Sequence, residues 1–287
     1  MITVTVRGVS VFGPGLNGWA DSAPILAGAR AWVSTETPPP PPALLPANDR
    51  RRAGPPVRLA MAVAAEAVAM SGLPLALPRG VFASANGDGA VLNAILQALS
   101  TPDGQVSPTQ FHNSVHNAVA ANWTIGVGST RPATSIGMHD DTFAAGLLKA
   151  AAEAAHEREP VLFCAYDAPM PEPLAAKRPT SFAFAAAFVL APVNVAEQDD
   201  IARPLARDMT RPLARDMTCP LARLAVRYVA EHAGAEAWLP LTPEVRALAT
   251  GNAAARGLRL LEAIARGAVD RFALPLASGR VEVEVTP

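Results

Sequence analysis

Hydrophobic and polar positions alternate from Ile2 to Phe12, the two-residue period of a half-buried strand, and Gly13-Pro14-Gly15 ends it. A short helix is expected around Ala23–Ala29. The period then lengthens: Val57 to Met70 is an alanine-rich amphipathic helix, approached by Arg50-Arg51-Arg52. Gly80 to Ala85 reads as a second, buried strand, and Asn86-Gly87-Asp88-Gly89 as the turn into a helix over Val91–Leu99. Val161–Asp167 (VLFCAYD) is a third apolar strand and Thr180–Leu190 a fourth that crosses the sheet. Leu224–Ala233 and Asn252–Ala268 read as helices, and Arg280–Val285 as a terminal strand paired with the first. Strand, helix, strand, helix, strand is the order of a layered α/β fold with a mostly parallel sheet.

The stretch from Val106 to Ala150 carries the densest pattern. Ser107-Pro108 opens a helix on which Val115, Val119 and Trp123 recur at helical spacing. Gly126, Gly128 and Pro132 break it, Ala133–Ile136 is short enough for a buried strand, and Asp140-Asp141 stand where the next helix begins. Strands that bend sharply into a helix N-terminus are where α/β enzymes often hold a nucleophile. This bend carries aspartates, a histidine and a methionine, with no cysteine and no serine after Ser135.

Composition narrows the function classes. With 287 residues, half of them hydrophobic and 17% charged, the chain can bury a substantial core, as one large α/β domain or two small ones. A net charge of −1 gives no electrostatic case for nucleic acid or a membrane surface, and aromatics at 5% leave few stacking platforms for single strands. No apolar run is long enough to span a bilayer. Cys164 and Cys219 make neither a disulfide framework nor a metal pattern, and a reducing cytoplasm is the simplest home. Cys164, inside an apolar strand, reads as an inert core thiol.

Two segments stand apart. Pro38–Pro42 is stiff and extended, either a rigid surface connection or a ligand for a proline-reading domain. RPLARDMT at Arg203–Thr210 is repeated identically at Arg211–Thr218, and CPLAR at Cys219–Arg223 begins a third copy. A proline in each unit forbids a continuous helix, so 203–223 reads as a duplicated loop insertion.

The central stretch resembles the nucleophile region of β-ketoacyl synthases, condensing enzymes of the thiolase superfamily. Ser107-Pro108, Asn117, Ala120-Ala121, Gly128 and Pro132 fall on that family's pattern without a gap. The family's nucleophilic cysteine then falls on Asp140, and the glycine before the proline is Arg131. Ser-Pro-Thr-x-Phe-x-x-Ser-Val-His-Asn, followed by Asp-x-Phe-Ala-Ala-Gly-Leu-Leu, is more specifically similar to the short ketosynthase-like chain length factors of aryl polyene pathways. The match is specific between Val81 and Asp167 and extends back to about Leu45.

The resemblance implies a thiolase-like layered fold as a single domain over 1–287, truncated relative to a full ketosynthase, with no catalytic residue and no cofactor. The family's two catalytic histidines have no counterpart after Asp167, where His232 is the only histidine. It implies a heterodimer with an active β-ketoacyl synthase, whose acyl chain, bound to acyl carrier protein, would run in a tunnel lined from this chain. Thr109, Gln110, Phe111, His112, Ser114, His116 and Asn117 are the expected tunnel and interface residues. Arg50–Arg52 are either a solvated helix approach or a contact for the acidic carrier protein.

Other chemistries are open to the same residues. His112 and His116, four apart, have a metal-compatible spacing but no third ligand, and a structural role with Asn117 bonding toward the strand before Asp140 fits as well. Ser114, His116 or His139 and Asp140 would supply the types of a hydrolase triad, without a Gly-x-Ser-x-Gly elbow. An autonomous acyl-transfer or hydrolytic enzyme using Cys164 or Asp140, or a homodimeric scaffold, are the alternatives from other classes.

Overall fold

A computed structural model describes residues 1–36, 38–193, 220–231 and 238–287. Its elements are β1 (Ile2–Gly13), β2 (Leu16–Asn17), α1 (Trp19–Leu26), α2 (Ala47–Arg52), α3 (Pro55–Met70), β3 (Arg79–Ala83) and α4 (Gly89–Leu99). There follow α5 (Pro108–Ser114), α6 (Ala118–Val127), β4 (Ala133–Ile136), α7 (Thr142–Glu157), β5 (Val161–Asp167) and β6 (Phe184–Pro192). The C-terminal part is β7 (Ala222–Val229), α8 (Pro243–Gly251), α9 (Leu258–Arg266), β8 (Asp270–Leu276) and β9 (Gly279–Thr286). The duplicated units at 203–218, together with Cys219 and His232, lie outside the described residues.

One sheet runs β4-β3-β5-β6-β1-β7-β9-β8, with β2 added beside β1. Only the β3–β4 and β3–β5 pairs are parallel, and the rest are antiparallel. The expected mostly parallel sheet is therefore a mixed one. The parallel part is confined to strands separated by crossover helices, and the connection from β5 to β6 carries only one short 3₁₀ turn, so β6 returns antiparallel.

β1 is the spine. It pairs with β6 on one side and β7 on the other, and Val4, Val6, Val9 and Val11 are fully buried together with Thr5 and Ser10. The half-buried strand expected from its alternation is thus covered on both faces. The polar positions find partners: Thr5 donates to the Ala191 carbonyl (3.3 Å) and Ser10 to the Glu66 carboxylate (2.6 Å). Helix α3 lies directly on this strand. A Cβ on Gly8 would sit 1.9 Å from the Ala67 carbonyl oxygen, so a side chain there would lift the helix off the sheet.

Helices α3 and α6 cover one face, burying Leu59, Met61, Phe82, Trp123, Leu162 and Tyr166 between them. The opposite face is covered by α1, α7 and α9, around Phe143, Leu147, Phe163, Phe188, Leu258 and Leu261. Phe143 and Phe163 meet at 5.2 Å between centroids, and Phe163 stacks on Phe188 at 5.9 Å.

Three expectations are corrected. Leu224–Ala233 is not a helix: Ala222, Leu224 and Val226 are buried, while Arg223, Ala225 and Arg227 between them are only partly covered or exposed, the alternation of β7. The terminal strand β9 pairs with β7 and β8, so β7 separates it from β1. The helix expected from Ser107 breaks between Ser114 and Ala118, because Ser114 Oγ donates back to the Phe111 carbonyl (2.8 Å) and Val115 turns extended. Among the described residues, no helix is long and apolar enough to cross a membrane.

Candidate functional site

The site is built at the C-terminal ends of the parallel strands. β4 ends at Ile136, and Gly137–Asp141 bend the chain sharply into α7. His139 holds a left-handed backbone (φ +54°), a conformation uncommon for a residue with a Cβ, and Met138 bridges to Asp140. Thr142 ties the bend: its hydroxyl donates to the His139 carbonyl (2.6 Å) and accepts from the Met138 N–H (2.9 Å). A Cβ on Gly137 would meet the Ser84 carbonyl oxygen and the His116 ring, so the base of the bend is pressed between β3 and the α5–α6 linker.

Asp140 stands at the tip of this bend, and two arginines converge on it from distant parts of the chain. Arg178 Nη1 lies 2.5 Å from Oδ1 and Arg256 Nη2 3.3 Å from Oδ2. Each guanidinium is held by something other than Asp140. Arg178 Nε donates to Asn86 Oδ1 (3.0 Å), and Asn86 Nδ2 donates to Thr180 Oγ1 (2.8 Å). Arg256 Nη1 donates to Asp141 Oδ1 (3.0 Å), and the guanidinium lies 5.0 Å from the Trp238 ring centroid. His139 Nδ1 is 3.3 Å from Arg178 Nη1 and 3.5 Å from Asp140 Oδ1.

Beneath this layer lies Asp167, fully buried at the end of β5. Its Oδ1 accepts from Ser84 Oγ (2.8 Å) and from the N–H groups of Ala85 and Asn86 (both 3.0 Å). Burial pushes its carboxyl up to about 6, against the opposing effect of these bonds and of the Arg178 charge. Asn252 closes the layer, donating to the carbonyls of Asp167 (3.1 Å) and Phe182 (2.8 Å). Asn86 therefore links the buried carboxylate to the arginine above it.

The chemistry available here is narrow. Asp140 is engaged by two cations and has no hydrogen bond to Ser114 or His116, while the Ser114 hydroxyl is turned to the Phe111 carbonyl. The hydrolase triad is not assembled. Cys164 is fully buried in β5, its sulfur 3.8 Å from the Ala60 carbonyl oxygen, and burial pushes the thiol well above its ordinary value. It is not a nucleophile. The broken helix puts His112 on α5 and His116 in the linker, so the i, i+4 geometry of a metal pair is lost. Among the described residues no group of three or more His, Cys, Asp or Glu is placed to hold a metal. The Asn117 side chain is exposed and leads into α6 without capping it.

Thr109, Gln110, Phe111, His112 and Ser114 all lie on α5, and His116 and Asn117 just after it. All but the half-buried Gln110 are exposed, Phe111 at 65%. His116 alone of the seven lines a narrow cleft, with Val57, Asp88, Asn113 and Tyr166. The adjoining helix α4 exposes Leu92, Leu96 and Leu99, so an apolar surface spans α4 and α5; β4 is the outermost strand of the sheet. The residues around Asp140 that sequence reasoning missed are Arg178, Arg256, Asn86, Thr180 and Trp238. They come from loops and 3₁₀ turns without periodicity, and only the acidic end of the apolar run at Asp167 was a visible signal.

The chain resembles several solved structures. A ketosynthase (ApeO) in complex with its chain length factor (ApeC) from Xenorhabdus doucetiae aligns over 100% of both chains at 18% identity, TM-score 0.68. A type II PKS acyl-carrier protein in complex with its ketosynthase, AntDE:AntF, bound to the hexaketide, aligns over 99% of this chain and 98% of that one, at 11% identity and TM-score 0.65. Ketosynthase twelve of the bacillaene polyketide synthase from Bacillus amyloliquefaciens matches at 15% identity and TM-score 0.53 over 79% of this chain, which spans 45% of that longer one. The shared architecture is the thiolase-like ketosynthase fold, here in a chain shorter than a full ketosynthase. No curated protein sequence matches significantly. The family model for the β-ketoacyl synthase N-terminal domain matches residues 26–233, and the chain belongs to that family.

Proposed function

We propose that this chain is a chain length factor: a non-condensing subunit, one ketosynthase-like domain over 1–287, that pairs in the cytoplasm with an active β-ketoacyl synthase. The observation that carries the reading is the occupant of the nucleophile position. Condensation begins with an acyl chain on a thiolate. Here the position is filled by Asp140, whose carboxylate is neutralised by Arg178 and Arg256. The partner then supplies the chemistry. The ketosynthase/chain length factor complex and the carrier-protein complex among the structural relatives support the choice of partner and of an acyl chain bound to carrier protein.

The exposed apolar surface of α4 and α5 is the partner face on this reading, with Phe111 its most prominent side chain. Thr109, Gln110, Phe111, His112, Ser114, His116 and Asn117 would line or close the tunnel in the partner, limiting the polyene or fatty acyl chain by bulk. Co-expression with an active β-ketoacyl synthase, followed by size exclusion and an elongation assay on carrier-bound substrate, tests this. A one-to-one complex, active only with both subunits, is expected. Phe111→Ala should lengthen the product by about one or two extension units, since it removes several methylene-sized groups from the wall, and Phe111→Glu should break the complex. Acyl thioester turnover by the isolated chain, or a self-associated dimer indifferent to the ketosynthase, would overturn the reading.

A further inference from the structure

Arg178 and Arg256 are each anchored by groups other than the Asp140 carboxylate between them. A surface ion pair normally owes its arrangement to its own partner, and both side chains relax when one is cut away. These guanidiniums are fixed independently: Arg178 by Asn86, itself held by Thr180, and Arg256 by Asp141 and the face of Trp238. Both are mostly covered, with 23% and 19% of their side-chain surface exposed. They present donors to different oxygens of one carboxylate, which itself stays 44% exposed. Two preorganised cations sharing one planar anion at the mouth of a bend is the arrangement of a carboxylate receptor.

We propose that Arg178 and Arg256 form a carboxylate-binding site whose resident ligand is the chain's own Asp140. The intact chain is closed at this position to small carboxylates from solution. Asp140→Ala deletes the carboxylate, leaves the two arginines in place and opens a site that takes a small carboxylate such as acetate. The inference goes beyond the choice of partner and stands on the isolated chain.

Thermal unfolding and isothermal titration of Asp140→Ala with acetate, at ionic strength held constant with chloride, test it. A ligand of four heavy atoms on two charge-assisted contacts should bind with a Kd on the order of 10 mM. The variant's midpoint should be below that of the wild type and climb with acetate. The wild type should respond about tenfold more weakly, and so should Asp140→Ala combined with Arg178→Gln, which lacks half the site. Folded Asp140→Ala that ignores acetate, or a wild type that responds equally, overturns the proposal. Should Asp140→Ala not fold in chloride, folding restored by acetate supports it. Absence of rescue, in that variant and in the smaller change Asp140→Ser, overturns it.

Discussion

Asp167 makes the coupling between buried charge and stability measurable. Its carboxyl is completely enclosed, and burial pushes it from the ordinary 3.8 up to about 6 despite three hydrogen bonds to Oδ1. Between those two values the folded chain keeps a proton that the unfolded chain has released, so the unfolded state gains relative stability as pH rises. The favourable contribution is complete below 3.8 and gone above about 6. At about 1.4 kcal/mol per pH unit, the span is worth about 3 kcal/mol. Asp167→Asn keeps the shape and the acceptor oxygen but cannot ionise. It places an NH₂ group where no acceptor waits, so it should be the weaker protein at low pH by about 1–3 kcal/mol. The two stabilities should then approach or cross, their difference moving by about 3 kcal/mol in favour of the variant between pH 4 and pH 7. Urea unfolding of both proteins across that range gives the difference directly, and every other titrating group cancels in it. A difference that stays flat with pH would show that the carboxyl is ionised throughout, and the argument from burial would fail.

Cys164 should resist iodoacetamide in the folded protein and label only on unfolding, and Cys164→Ala should leave any partner-dependent elongation unchanged; labelling of the native thiol at the rate of a free peptide would refute its burial. Glu262, fully buried on α9, accepts from the N–H groups of Leu241 (2.6 Å) and Thr242 (2.9 Å), so Glu262→Ala strands two donors and should cost about 2–4 kcal/mol in denaturant unfolding. Glu262→Gln, which keeps an acceptor, should lose less.

Parts of this fold are written locally and parts are not. β4 has the expected bounds, Ala133–Ile136, because Pro132 and Gly137 flank it, but it is not the buried strand expected: as the outermost strand of the sheet its residues are exposed or only partly covered. β5 and α3 are legible for a similar reason: seven consecutive buried residues and a sixteen-residue amphipathic run admit few alternatives. β7 was misread because LARLAVRYV satisfies both periods. What decided it was pairing along the second edge of β1, a strand more than two hundred residues earlier in the chain and invisible to any local window. β1 itself looked half-buried for the same reason, since its second covering layer comes from α3.

The site divides along the same line. The placing of Asp140 at the nucleophile's position, which the proposed function uses, rests on spacing along one continuous segment and needs nothing from the fold. The groups around it do depend on the fold. Arg178 follows β5, beyond α7 and a 3₁₀ turn, Arg256 sits in the 3₁₀ turn before α9, and neither belongs to a motif. They meet Asp140 only because β3, β4 and β5 end side by side and the segments after β5 and α8 fold back over those ends. Arg256 bridges Asp140 and Asp141, so the two neighbouring carboxylates of the bend share its charge. Asp140→Cys would therefore not by itself make a condensing site: a thiolate there would face Arg178 and Arg256, with His139 on the bend and the His116 ring at its base.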